Sequence, residues 1–285
     1  MIQITVGLRR RLGELQALLL VLLLGAGCQA ISPTGGAQAA PGNEVLHQIL
    51  ERGTLRVAMS GTQPPLNMKT ASGVLTGLDV ELAQALADAM RVELTLVETP
   101  FKDLLDDLER GEIDLVISSL TITPARNARV AFAGPYLISG ASLLTRADLV
   151  DDLARIDDLD TPERSWAALE GSTGQALIVE AFPRARFVPV SNQEAAAELI
   201  ASGEIDGLVT DLPFVHYAIA RHPEHALASL PAPFTTEPLG IALPPGSPLF
   251  ANLVQNYLNT LDYTGQLMQM KARWLSAGDW LEEMP

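Results

Sequence analysis

From Glu44 onward, apolar residues recur at helical spacing in some stretches and in short unbroken runs in others, and the two kinds alternate. Glu44–Arg52 reads as a short helix stopped by Gly53, and Leu55–Met59 as a strand. A Pro/Gly-rich loop, Ser60–Pro65, comes next, and then a stretch with the hairpin-turn pair Ser72-Gly73. Leu78, Leu82 and Leu86 fall at i, i+4 and i+8, which predicts a helix over Asp79–Arg91. Val92–Val97 reads as a strand, Phe101–Glu109 as a helix ended by Gly111, and Leu115–Ile117 as a strand. This β-α-β-α-β order predicts a mostly parallel sheet flanked by helices. The same grammar restarts at Trp166–Leu169 (strand), Thr173–Ala181 (helix), Arg186–Val190 (strand) and Gln193–Ala201 (helix). Leu249–Leu261 and Gly265–Trp274 read as closing helices. Ser139–Thr145 and Pro238–Leu243 are apolar, extended in character, and flank the second unit. They are expected to be crossover strands, which makes the first lobe discontinuous and the second an insertion.

The two units share a motif. Gly-Glu-Ile-Asp occurs at Gly111–Asp114 and again at Gly203–Asp206, each time between a helical run and an apolar strand. Ser119 and Asp211 each lie eight residues past their glycine, where the strand ends. In open α/β sheets, ligands bind outside the carboxyl ends of the strands. Two such units therefore predict two α/β lobes that face a shared cleft.

Charge and the single cysteine narrow the setting. The formal charge of −15 argues against nucleic acid as a partner. Arg9, Arg10 and Arg11, the apolar run Leu15–Leu24 and the small residues Gly25-Ala26-Gly27 have the form of an export signal, too short for a membrane span. The expected layout is a signal peptide at 1–27 and a tether at 28–43. Lobe 1 follows at 44–139 and 238–285, with lobe 2 at 140–237. Cys28 directly follows the small-residue triplet and is the expected site of lipid attachment, although Gly25 stands where a lipobox carries leucine. That places the protein in the periplasm or at the cell surface, anchored to a membrane, with no disulfide.

Thr123-Pro124-Ala125-Arg126 supplies an N-cap, a first-turn proline and a guanidinium beside free backbone N–H groups. Such a guanidinium can hold a carboxylate through two parallel hydrogen bonds, or pair with a surface acid. Asp211 can accept from an ammonium, or cap the helix that begins at Leu212. Together the two residues are complementary to a zwitterion. Glu170-Gly171-Ser172-Thr173-Gly174 offers N–H groups and hydroxyls to a carboxylate but lacks the lysine of a phosphate loop. Phe101 can stack on an apolar ligand portion or simply pack in the core. The histidines are scattered and the serines have no base at motif spacing, so no catalytic set, cofactor or metal is expected.

These stretches resemble the family 3 extracellular solute-binding proteins, the polar amino-acid receptors of ABC importers. The likeness runs over about 44–275. It is carried by Leu75-Thr76-Gly77-Leu78-Asp79-Val80, the first Gly-Glu-Ile-Asp, Ser118–Arg126, Ala131–Tyr136 and Lys271-Ala272-Arg273-Trp274-Leu275. The resemblance implies a two-lobed periplasmic binding protein type II fold that closes like a hinge on its ligand. It also implies roles: Arg126, helped by Ser119 and Thr121, on the ligand α-carboxylate; Asp211 on the α-amino group; Ser172 and Thr173 at the ligand; Phe101 on its side chain. The chain departs from the family pattern after the first strand. There Ser60-Gly61-Thr62-Gln63-Pro64-Pro65-Leu66 lacks the acid that receptors for basic side chains tend to use. Ser60 and Gln63 are thus expected to edge a neutral or polar pocket.

The implied function is capture of an L-amino acid by a monomer that delivers it to a membrane permease. An enzyme on the same scaffold, cyclohexadienyl dehydratase, is the alternative. A ligand sensor for a membrane signalling protein is a third reading.

Overall fold

The computed structural model describes residues 44–276 other than Ala154. The expected signal peptide, tether and Cys28 anchor lie outside the described residues. Among those residues, no helix is long and apolar enough to cross a membrane.

The elements run α1 (Glu44–Arg52), β1 (Thr54–Met59), β2 (Thr62–Gln63), β3 (Asn67–Lys69), β4 (Leu75–Thr76), α2 (Leu78–Met90) and β5 (Glu93–Glu98). A 3-10 turn at Phe101–Asp103 leads into α3 (Leu104–Glu109), then β6 (Leu115–Val116), α4 (Pro124–Asn127), β7 (Ala131–Ser139) and β8 (Ala141–Arg146). After α5 (Ile156–Leu159) come β9 (Ser165–Leu169), α6 (Thr173–Ala181), β10 (Arg186–Val190), α7 (Gln193–Ser202), β11 (Gly207–Asp211), α8 (Leu212–Arg221) and β12 (Leu227–Ser229). The described residues close with β13 (Glu237–Leu243), α9 (Pro248–Tyr263) and α10 (Gln266–Leu275).

Two five-stranded sheets form the lobes, ordered β5-β1-β6-β13-β7 and β10-β9-β11-β8-β12. Each is mixed. The parallel trio expected from the alternating pattern, β5-β1-β6 or β10-β9-β11, is extended by two antiparallel strands. The expected single crossover Ser139–Thr145 is two strands instead. β7 ends at Ser139 in the first sheet and β8 begins at Ala141 in the second. The reason is Gly140: a Cβ there would lie 2.4 Å from the Thr235 carbonyl oxygen on the other crossing. The two crossings touch at this point, and the missing Cβ of glycine leaves room for that approach.

Alternation along the strands supplies both faces of each sheet. Leu55, Val57 and Met59 of β1 face α1, α2 and α9 through Ile49, Leu82, Leu86 and Val254. Ala58 faces the other way, towards Phe101, Leu104 and Leu108. In the second lobe Trp166 and Val209 pack on Ile178 and Phe182. Ala167 and Leu208 pack on Ala197, Ile200 and Phe214.

The twin motif performs the same task twice. Gly111 (φ 71°) and Gly203 (φ 77°) both adopt the left-handed conformation that ends the preceding helical run. The Asp114 N–H donates to the Arg56 carbonyl (3.0 Å), and the Arg56 N–H donates back to the Asp114 carboxylate (2.8 Å). The Asp206 N–H donates to the Ser165 carbonyl (3.1 Å), and the Ser165 N–H returns to the Asp206 carboxylate (2.8 Å). Each aspartate thus clasps the start of the neighbouring parallel strand and sets the register that carries β6 and β11 to the cleft.

Candidate functional site

The carboxyl ends of β6 and β11 meet. Ser119 adopts φ 48°, a conformation uncommon outside glycine, and its hydroxyl donates to Asp211 at 2.9 Å. The two positions eight residues past the repeated glycines therefore touch across the cleft. The Ser119 N–H donates to Asp79 (3.0 Å), a buried carboxylate that also accepts from Asn67 (2.7 Å) and the Tyr136 hydroxyl (2.8 Å). Burial pushes the Asp79 carboxyl up to about 6, against the pull of these three donors. Asp79, at the start of α2, thus supports the Ser119 turn.

Asp211 sits at the N-cap of α8 but makes no side-chain capping bond. Its carboxylate turns instead to Ser119 and to Ser139 at 3.4 Å. Burial, and then the negative charge of Glu237, raise its carboxyl to about 7, partly offset by the two serine donors and Arg126.

Glu237, absent from the sequence-based candidates, opens β13 and is 5% exposed. Its Oε2 accepts the hydroxyls of Thr121 (2.7 Å) from the first lobe and Thr173 (2.8 Å) from the second. Its Oε1 accepts that of Thr235 at 3.1 Å. No motif marks it, since Thr235-Thr236-Glu237-Pro238 has ordinary loop composition.

Thr123 caps the four-residue α4 as expected, accepting the Arg126 N–H at 3.2 Å. The Arg126 guanidinium spans the lobes, donating to the carbonyls of Thr121 (2.9 Å) and Gly171 (3.1 Å), with its carbon 5.7 Å from the Phe101 ring centroid. Burial weakens its hold on its proton, while the charges of Glu237 and Asp211 strengthen it. At the mouth, Lys102 pairs with Glu170 at 2.9 Å.

Gln63, Phe101, Ser119, Thr121, Ser172, Thr173 and Asp211 line one cleft, joined by Glu237, Gln193 and Thr210. With the lobes in contact the space inside is ≈ 20 Å³, room for about one water. Ser172 also caps α6, accepting the Gln175 N–H at 3.1 Å. Ser60 is not among the lining residues. It is buried behind Gln63, where its hydroxyl donates to Gln63 (2.9 Å) beside Asn67, and it supports Gln63 at the edge of the pocket. Gln193 Oε1 and Thr210 Oγ1 are buried with no hydrogen-bond partner, unusual for interior polar atoms. Helix capping and strand-end patterns drew attention to their neighbours, not to them.

Outside this cleft, Glu198, His222 and His225 bring ligand-type atoms within 4.8 Å of one another. The two rings are stacked, 4.9 Å between centroids and 3° from parallel. Their in-plane lone pairs run side by side, so converging on one ion requires a rotamer change.

A cleft between two α/β lobes, walled by hydroxyls and acids with a guanidinium beside it, has counterparts among known proteins. The cyclohexadienyl dehydratase of Pseudomonas aeruginosa is 26% identical over 248 residues, covering 87% of this chain and 91% of that one. An L-cystine-binding protein of Escherichia coli is 26% identical over 82% of this chain and 86% of its own length. Among solved structures, a binding component of an ABC transporter from Wolinella succinogenes, complexed with lysine, superposes with TM-score 0.77 and 33% identity, covering 81% of this chain and 99% of that one. The family model for bacterial extracellular solute-binding proteins, family 3, matches residues 55–277, which takes in both sheets and every residue of the cleft, and the chain belongs to that family.

Proposed function

We propose that this protein is an extracytoplasmic receptor that captures an L-amino acid between its lobes and delivers it to the permease of an ABC-type importer. The observation that carries this reading is the meeting of Asp211 with the Ser119 and Thr121 hydroxyls at one interlobe cleft, with the charge of Arg126 acting on its acids from the adjoining pocket. Arg126 would take the α-carboxylate and Asp211 the α-ammonium, so the ligand links charges that each lobe holds separately. With space for about one water, the lobes must part to admit it. Gly140 and the segment before Glu237 are where the chain passes between sheets, and so are the expected hinge. Differential binding to the closed form then drives closure. In this reading residues 1–27 direct export, Cys28 carries the lipid and the tether frees the monomeric receptor to reach its permease.

Thermal shift against the twenty amino acids, on the wild type and Arg126→Ala, tests the site. Stabilisation by one or a few amino acids, lost in the variant, is the expected result. No shift by any of them, with Arg126→Ala unchanged, refutes it.

One observation favours a second reading, a cyclohexadienyl dehydratase on the same scaffold. The cleft holds two acids, Glu237 and Asp211, and the Asp211 carboxyl is raised to about 7, as a general acid requires. Glu170 is tied to Lys102 at the mouth. Phenylpyruvate formed from prephenate, or phenylalanine from arogenate, would establish this alternative. Side-chain specificity is open under the receptor reading. The loop after β1 lacks an acid, which points to a neutral or polar ligand, but Glu237 brings one from a different element.

A further inference from the structure

We infer that Glu237 is the specificity-determining acid of the cleft and that the ligand carries a positive charge on its side chain, in addition to its α-ammonium. The inference rests on the amino-acid-receptor reading and extends it.

The cleft is lined by two carboxylates, Asp211 and Glu237, and the guanidinium whose charge reaches both, Arg126, lines the pocket beside it. The neighbouring charges do not alter that balance. Lys102 and Glu170 neutralise each other at the mouth, and Asp79 is turned away behind Ser119 with three donors of its own. A zwitterion satisfies Arg126 and Asp211 and leaves Glu237. With a zwitterion in place, Arg126 and the ligand ammonium face three carboxylates, and the three threonine hydroxyls that reach Glu237 are neutral donors. A cationic side chain balances the set.

A second observation points the same way. Gln193 Oε1 is an acceptor with no donor, on a side chain 4% exposed that faces the same cleft. An amide oxygen without a donor, lining the same cleft as two carboxylates, calls for N–H donors on the ligand. An amide, an ammonium or a guanidinium provides them, and of these only the last two also bring positive charge.

Calorimetric titration with two isosteric pairs tests this: L-arginine against L-citrulline, and L-lysine against L-norleucine, on the wild type and Glu237→Gln. The wild type is expected to favour the cation of at least one pair by about tenfold or more. In Glu237→Gln that ratio is expected to fall to about threefold or less, because the variant removes the charge and keeps the shape. Equal wild-type affinity within both pairs overturns the inference and needs no variant. A ratio that survives Glu237→Gln overturns it as well. In either case amino-acid binding abolished by Arg126→Ala leaves the receptor reading standing. If no L-amino acid binds, that reading falls and this inference falls with it.

Discussion

Asp211→Asn should change how the ligand-free protein responds to pH. In the unfolded chain this carboxyl ionises near its ordinary value of 3.8, and in the folded cleft it holds its proton to about 7. Between those values the native state binds the extra proton, so stability falls as pH rises. The full difference corresponds to about 4 kcal/mol at 1.36 kcal/mol per pKa unit. Opening the cleft would rehydrate Asp211 and relieve part of that penalty, and the group is only partly buried. We therefore expect about 1–2 kcal/mol to reach global stability. Asparagine keeps the side-chain shape and cannot ionise. Melting curves of both proteins from pH 5 to pH 8.5 isolate the effect, because Asp79 and all other groups are common to the two. Relative to the wild type, Asp211→Asn should gain about 2–8 °C between the ends of that range. Parallel curves would refute the reasoning. Ligand should flatten the wild-type slope, since its ammonium takes the place of the proton.

Three further predictions concern separate parts of the molecule. Arg126→Lys, measured by titration, should weaken amino-acid binding by at least about tenfold while leaving the melting temperature within about 2 °C, because a point charge cannot reproduce the two-pronged guanidinium contact. Gly140→Ala should destabilise the protein by about 1–3 kcal/mol in denaturant unfolding, since the new Cβ meets the Thr235 carbonyl oxygen and one crossing must move. Asp114→Ala and Asp206→Ala should each lose about 1–3 kcal/mol by the same assay, because each leaves one backbone N–H at a strand start without its carboxylate. Loss at only one of them would break the equivalence of the two motifs.

The helices and parallel strands were legible because their apolar spacing is local. Leu78, Leu82 and Leu86 fix a helical face whatever the rest of the chain does, and α6 and β10 lie where that pattern puts them. The twin Gly-Glu-Ile-Asp was legible for the same reason, since its glycine end and aspartate clasp act on adjacent elements. The break at Gly140 was not, because it depends on a carbonyl 95 residues away in sequence.

By itself the sequence determined two α/β units with polar residues at their strand ends, Ser119 and Asp211 among them. What each charge meets there was decided by tertiary structure. Ser119 and Asp211 are 92 residues apart and Thr121 and Glu237 are 116 apart, yet each pair is hydrogen-bonded. Turning Asp211 from a helix cap into a cleft acid, burying Glu237 among three threonines and moving Ser60 behind the wall all followed from how the two sheets meet. The physical reason is that local patterning fixes which face of an element is apolar. Desolvation, which sets the charge balance of a binding site, depends on everything packed around it.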